Sequence, residues 1–126
     1  MTSPESAEYR QFRYALPEGA TDLLLVRHGE SAPAREDVPT PMRDGHTDPP
    51  LDPVGEEQAR RLADRLSLAS IDAIYVSTLQ RTHQTAAPLA AKLGIEPIVE
   101  PDLREVGLGE WEGYLFRKYT AERHPI

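Results

Sequence analysis

Four apolar residues in unbroken succession, Leu23, Leu24, Leu25 and Val26, run straight into Arg27, His28 and Gly29. A run with no polar alternation has no face to offer water. It suits an inner strand covered on both sides, the kind found in parallel sheets between helix layers. In such sheets the carboxyl ends of the strands border the crevice that takes ligand. The run therefore delivers Arg27 and His28 to a rim, where Gly29, lacking a Cβ, lets the backbone turn sharply and approach a ligand closely.

The rest of the chain supplies what such a strand needs. Asp52 and Pro53 signal a helix start, with aspartate as cap and proline at the first helical position. Ala59, Leu62, Ala63 and Leu66 follow at i, i+3, i+4 and i+7, while Glu56–Arg60 and Glu57–Arg61 are i,i+4 pairs on other faces. Residues 71–77, IDAIYVS, read as a second strand, and Ser77 or Thr78 caps a second helix reaching to about residue 93. Residues 95–99, IEPIV, read as a third strand. Strand, helix, strand, helix, strand implies right-handed crossovers and a mainly parallel sheet in a three-layer α/β/α fold. With 126 residues the chain fits one domain, small for the complete architecture. Residues 1–20 are polar and proline-punctuated and read as a flexible lead-in to a domain over 21–126. Prolines at 33, 39, 41, 49, 50 and 53, with Gly45, make residues 31–53 a long loop without regular structure, starting at the crevice.

Composition narrows the function classes. A formal net charge of −7 argues against general affinity for nucleic acid or an anionic membrane, so any anion site has to be local. No cysteine is present, which excludes disulfides, thiolate metal sites and a cysteine nucleophile. No stretch has the length and apolarity of a signal peptide or a membrane span, so a soluble cytoplasmic protein is expected. No pair of histidines has zinc-ligand spacing with a third partner near it, and no metal is expected.

Within the crevice, Arg81 falls in the first turn of the second helix, where free N–H groups and the helix dipole already favour anions. Glu105 follows the third strand and reaches the same rim. A histidine, two guanidinium groups and a carboxyl make a kit for phosphoryl transfer: nucleophile, charge clamp and proton donor. The plainer alternatives are a surface pair at Arg27 and His28 and an ordinary salt bridge between Arg81 and Glu105. Ser31 is either a phosphate contact or a solvated turn hydroxyl. Glu110, Trp111 and Glu112 read as a packed turn anchored by Trp111. His46, His83 and His124 read as bystanders in the loop, on a helix surface and in the tail.

Four segments in order, LLLVRHGES, GHTDPPLDPVGEEQARRLADRL, IYVSTLQRTHQTAAPLAAKLG and LREVGLGEWEG, resemble the histidine phosphatase superfamily, the phosphoglycerate-mutase-like proteins. The resemblance spans about residues 22–114. It implies that His28 is the nucleophile, that Arg27 and Arg81 bind the phosphoryl oxygens, and that Glu105 protonates the leaving oxygen. It implies no cofactor and a small phosphorylated substrate. The mutases it resembles carry Trp-Asn where this chain has Pro33 and Ala34, which favours a phosphatase acting through phosphohistidine over a phosphotransferase. The family's second catalytic histidine, in a His-Gly pair on a later strand, has no counterpart after Tyr114, and His124 has no strand before it. The expectation is thus a C-terminally incomplete, phosphoglycerate-mutase-like domain with an exposed strand edge prone to self-association. A catalytically weak phosphate-binding or interaction module is the alternative from a different class.

Overall fold

The computed structural model describes residues 6–9 and 15–122, with the side chains of Trp111, Tyr114, Leu115 and Tyr119 outside the description. The anchoring expected of Trp111 and the bystander role of His124 therefore fall outside the described residues.

A short antiparallel hairpin comes first, β1 (Met42–Arg43) with β2 (His46–Thr47), in the register Met42↔Thr47 and Arg43↔His46. Asp44 and Gly45 form its turn with φ of 51° and 78°. Two successive positive φ values are what a two-residue hairpin loop of matching twist requires, and Asp-Gly meets that need at little steric cost. This corrects the expectation that residues 31–53 lack regular structure: the local turn chemistry prevails between the prolines.

Helix α1 (Pro53–Leu66) begins as its sequence signals predict, with the Gly55 amide donating to Asp52 Oδ1 at 2.8 Å and Pro53 in the first turn. Gly55, Ala59 and Ala63 recur every fourth residue along its buried face, and Leu62 and Leu66 flank them half-buried. The small stripe lets α1 pack along α2 (Gln80–Leu93), whose buried face carries Arg81, Thr85, Leu89 and Ala90. Gly94 ends α2 in the left-handed conformation, φ 65°. On either side of α2 lie β3 (Tyr75–Val76) and β4 (Ile98–Val99), paired in parallel as Tyr75↔Ile98 and Val76↔Val99. The Ile98 amide donates to the Ile74 carbonyl at 2.8 Å and the Glu100 amide to the Val76 carbonyl at 2.7 Å. Helix α3 (Tyr114–Ala121) closes the described chain.

The strand expected at residues 23–26 is not formed. Leu23, Leu24, Leu25 and Val26 are 77, 53, 94 and 50% exposed, and none belongs to a ladder among the described residues. Hydrophobic pattern can make a segment suitable for an inner strand, but only neighbouring strands supply the hydrogen bonds that make it one. The core lies instead between the helices and beside β3, at Leu51, Ala59, Ala63, Val76, Leu79, Leu89 and Ala90.

Candidate active site

His28 is held through its neighbours. The next residue, Gly29, is buried and lies against Gly55 of α1 so closely that a Cβ on Gly29 would stand 2.6 Å from the Gly55 carbonyl oxygen. A Cβ on Gly55 would stand 2.0 Å from the Glu30 carbonyl oxygen. Two residues without side chains are thus what lets the His28 loop sit backbone to backbone on the start of α1. Hydrogen bonds fix it there. The Gly29 amide donates to Thr85 Oγ1 at 3.0 Å, the Glu30 amide to Gln58 Oε1 at 2.8 Å, and the Asp52 amide to the Glu30 carbonyl at 3.0 Å.

His28 itself is half-buried, with Nδ1 2.7 Å from the Gly29 carbonyl oxygen. A carbonyl can only accept, so Nδ1 carries the hydrogen and donates it. In the neutral ring the lone pair then resides on Nε2.

Arg81 is buried at 8% exposure in the first turn of α2. Its Nη1 donates to the Thr47 carbonyl at 2.8 Å, and its backbone carbonyl accepts from Thr85 Oγ1 at 2.7 Å. One threonine hydroxyl therefore ties the Gly29 amide to the turn that carries Arg81. Burial lowers the Arg81 pKa from its ordinary value, against the attraction of Asp48, Glu105 and Glu112. Asp48, buried at 5%, accepts from the Gln80 amide at 2.7 Å and so caps α2 from a distant part of the sequence.

Glu105 is exposed, with Oε1 accepting from the Val106 amide at 3.0 Å, and its charge acts on Arg81. The structure thus brings Arg81 into the field of Glu105. Arg27 is exposed and makes no hydrogen bond or ion pair among the described residues. Ser31 Oγ accepts from Arg117 Nη2 at 2.8 Å, so this hydroxyl is engaged by α3. His83 is half-buried with Nε2 donating to the Ser77 carbonyl at 2.8 Å, not at the surface as its helix position suggested.

Sequence reasoning passed over several residues that shape this site. Glu112 accepts from the Thr47 amide at 3.1 Å, from the Thr47 hydroxyl and from the Leu108 amide at 2.8 Å, locking the Gly-rich turn onto the hairpin. Partial burial acts to raise its pKa, but those hydrogen bonds outweigh it and hold the carboxyl below the usual carboxylate range. Thr85, Gln58 and Arg117 were likewise invisible as site residues, because each acts on a partner 28 or more positions away.

A family model, described as histidine phosphatase superfamily (branch 1), matches residues 23–125. The chain is 36% identical over 115 residues to phosphoserine phosphatase 1 of Hydrogenobacter thermophilus, covering 82% of this chain and 53% of that protein. It is 37% identical over 104 residues to phosphoglycerate mutase-like protein 4 of Arabidopsis thaliana, covering 81% and 44%. Among solved structures, a mycobacterial glucosyl-3-phosphoglycerate phosphatase in complex with VO3 superposes with a TM-score of 0.59 at 30% identity, over 75% of this chain and 45% of that one. The chain spans about half the length of the curated relatives it matches.

Proposed function

Because this chain belongs to the histidine phosphatase superfamily, branch 1, we propose that it hydrolyses phosphomonoesters through a phosphohistidine at His28. The observation that carries this reading is the Nδ1 hydrogen bond to the Gly29 carbonyl, which leaves Nε2 with the lone pair in a loop tied through Thr85 to buried Arg81. The Nε2 lone pair attacks phosphorus in line, and the bond to the ester oxygen breaks as the new N–P bond forms. The charge that builds on the other phosphoryl oxygens is met by Arg81 and by Arg27, which a bound phosphate would draw inward. The carboxyl of Glu105 gives its proton to the departing oxygen. Water then attacks the phosphohistidine, returning a proton to Glu105 and the electron pair to Nε2 as phosphate leaves.

The names of relatives support a small phosphorylated substrate, and we place hydrolysis ahead of transfer because Pro33 and Ala34 stand where the mutases carry their Trp-Asn pair. The three-layer α/β/α fold, with residues 23–26 as an inner strand, also belongs to this reading. It is supported by the exposed apolar run and by the likeness to longer structures of the family. No helix among the described residues is long and apolar enough to cross a membrane.

Incubation with a radiolabelled phosphomonoester tests the chemistry. An acid-labile, base-stable phosphoryl group should appear on the protein and disappear in His28→Ala. Label that persists in His28→Ala removes His28 as the nucleophile.

A further inference from the structure

Among the described residues Asp48 is the one buried carboxylate and Arg81 the one buried cation, at 5 and 8% exposure. Consecutive residues on each side hold the two segments together. Arg81 Nη1 donates to the Thr47 carbonyl at 2.8 Å, and one position along, the Gln80 amide donates to Asp48 Oδ1 at 2.7 Å. The Gln80 side-chain amide adds a bond to the Asp48 carbonyl, and the Asp48 amide donates to the Pro41 carbonyl at 2.7 Å. Exposed Arg43 completes the surroundings, with Nε 3.5 Å from Asp48 Oδ2. The carboxylate is therefore fixed and does not swing away when an anion arrives at Arg81.

Capping accounts for the acceptor but not for the charge. Helix α2 needs a cap from outside because Leu79, at its N-cap position, makes no side-chain cap hydrogen bond. Asparagine or serine would accept from the Gln80 amide about as well as aspartate does, without carrying a charge into the interior. The charge matters to Arg81. A buried guanidinium has lost hydration, and Asp48 leads the carboxylates whose attraction opposes that loss, ahead of Glu105 and Glu112. The same charge acts in the opposite sense on a ligand, because a phosphate dianion held by Arg81 enters the field of a carboxylate of its own sign.

We propose that Asp48 is a positioning residue for Arg81, whose fixed charge neutralises the buried guanidinium between turnovers and limits how tightly phosphate is held there, so that the product leaves. The proposal rests on the phosphatase reading for the place of the phosphate at Arg81, and its test separates the two.

Calorimetry with inorganic phosphate compares the wild type with Asp48→Asn, which keeps the shape and the acceptor for the Gln80 amide but not the charge. Asp48→Asn should bind phosphate roughly tenfold more tightly, the scale of one unit charge acting across a partly buried site. Damage to the fold only weakens binding, so a gain in affinity is a result that loss of structure does not imitate. Asp48→Ser, another uncharged cap, should give the same sign and serves if the asparagine variant does not fold. Arg81→Met should weaken phosphate binding by about tenfold or more in either background, which places the anion at the guanidinium. Unchanged or weaker binding in the uncharged variants, binding indifferent to Arg81→Met, or no phosphate binding by any of the proteins overturns the proposal. Hydrolysis of 4-nitrophenyl phosphate by the same proteins tests the phosphatase reading separately. Tighter binding in Asp48→Asn without hydrolysis by the wild type keeps the action of Asp48 on Arg81 and overturns the phosphatase reading. Hydrolysis with phosphate affinity unchanged in Asp48→Asn does the reverse.

Discussion

Replacing Gly55 by alanine sets two effects of opposite sign against each other. Gly55 is in the first turn of α1, and helix propensity alone favours alanine over glycine by about 1 kcal/mol. Against this, the new Cβ would stand 2.0 Å from the Glu30 carbonyl oxygen, 2.9 Å from its carbon and 2.9 Å from its nitrogen. All three atoms are backbone, so no side chain can swing away. Bringing that Cβ even to 3.0 Å, below which real Cβ atoms essentially never approach, requires the His28 loop and α1 to separate by roughly 1 Å, which overpacking data put at about 1–3 kcal/mol. The same separation strains the bonds from the Asp52 amide to the Glu30 carbonyl and from the Glu30 amide to Gln58 Oε1, each worth about 1 kcal/mol. The clash outweighs the propensity, and Gly55→Ala should be destabilised by about 2 kcal/mol, on the order of 5–10 °C in Tm. Since the loop that moves carries His28, turnover should fall by about 100-fold, the cost of a 1 Å misplacement. Urea denaturation and aryl-phosphate hydrolysis measure both effects. Gly107→Ala is the control: its Cβ would meet only His46 Nε2, at 3.7 Å, and it should lie within about 0.5 kcal/mol of wild type. A Gly55→Ala protein as stable and active as wild type would refute the close packing of the loop on α1.

Thr85→Val keeps the side-chain shape but removes the hydroxyl that accepts the Gly29 amide and donates to the Arg81 carbonyl. It should cost about 1–3 kcal/mol in denaturation and lower kcat; a neutral effect would separate the His28 loop from the Arg81 turn. Glu112 has a folded-state pKa below its ordinary 4.5, so its contribution to stability is present above that value and is lost as pH falls through the folded pKa. Acid titration of stability should therefore be shallower in Glu112→Gln, and unchanged acid sensitivity would contradict the bonds to Thr47 and Leu108. Leu25 is 94% exposed in an unpaired apolar segment, so the 14.1 kDa chain should elute as oligomers at high concentration and shift toward monomer in Leu25→Glu. Identical elution of the two would argue against association through this segment.

What the sequence by itself determined lies in features whose causes act within one or two turns. Asp52 and Pro53 start α1 where a cap and a fixed φ predict, Gly94 ends α2, and Arg81 enters the first turn of α2, although the cap is Leu79, which makes no side-chain cap hydrogen bond, and not the expected Ser77 or Thr78. The Asp44-Gly45 turn obeys the same local chemistry, contrary to the irregular loop expected from the surrounding prolines. The arrangement of the site was decided elsewhere. Gly29 meets Gly55, Thr85 meets Gly29, Glu112 meets Thr47 and Arg117 meets Ser31 across 26 to 86 positions, with no spacing rule to announce the pairs. Residues 23–26 mark the boundary most clearly. Their apolar run determined that the segment needs cover, whereas becoming a strand depends on backbone groups of other segments arriving at hydrogen-bonding distance, and that is a property of the assembled fold.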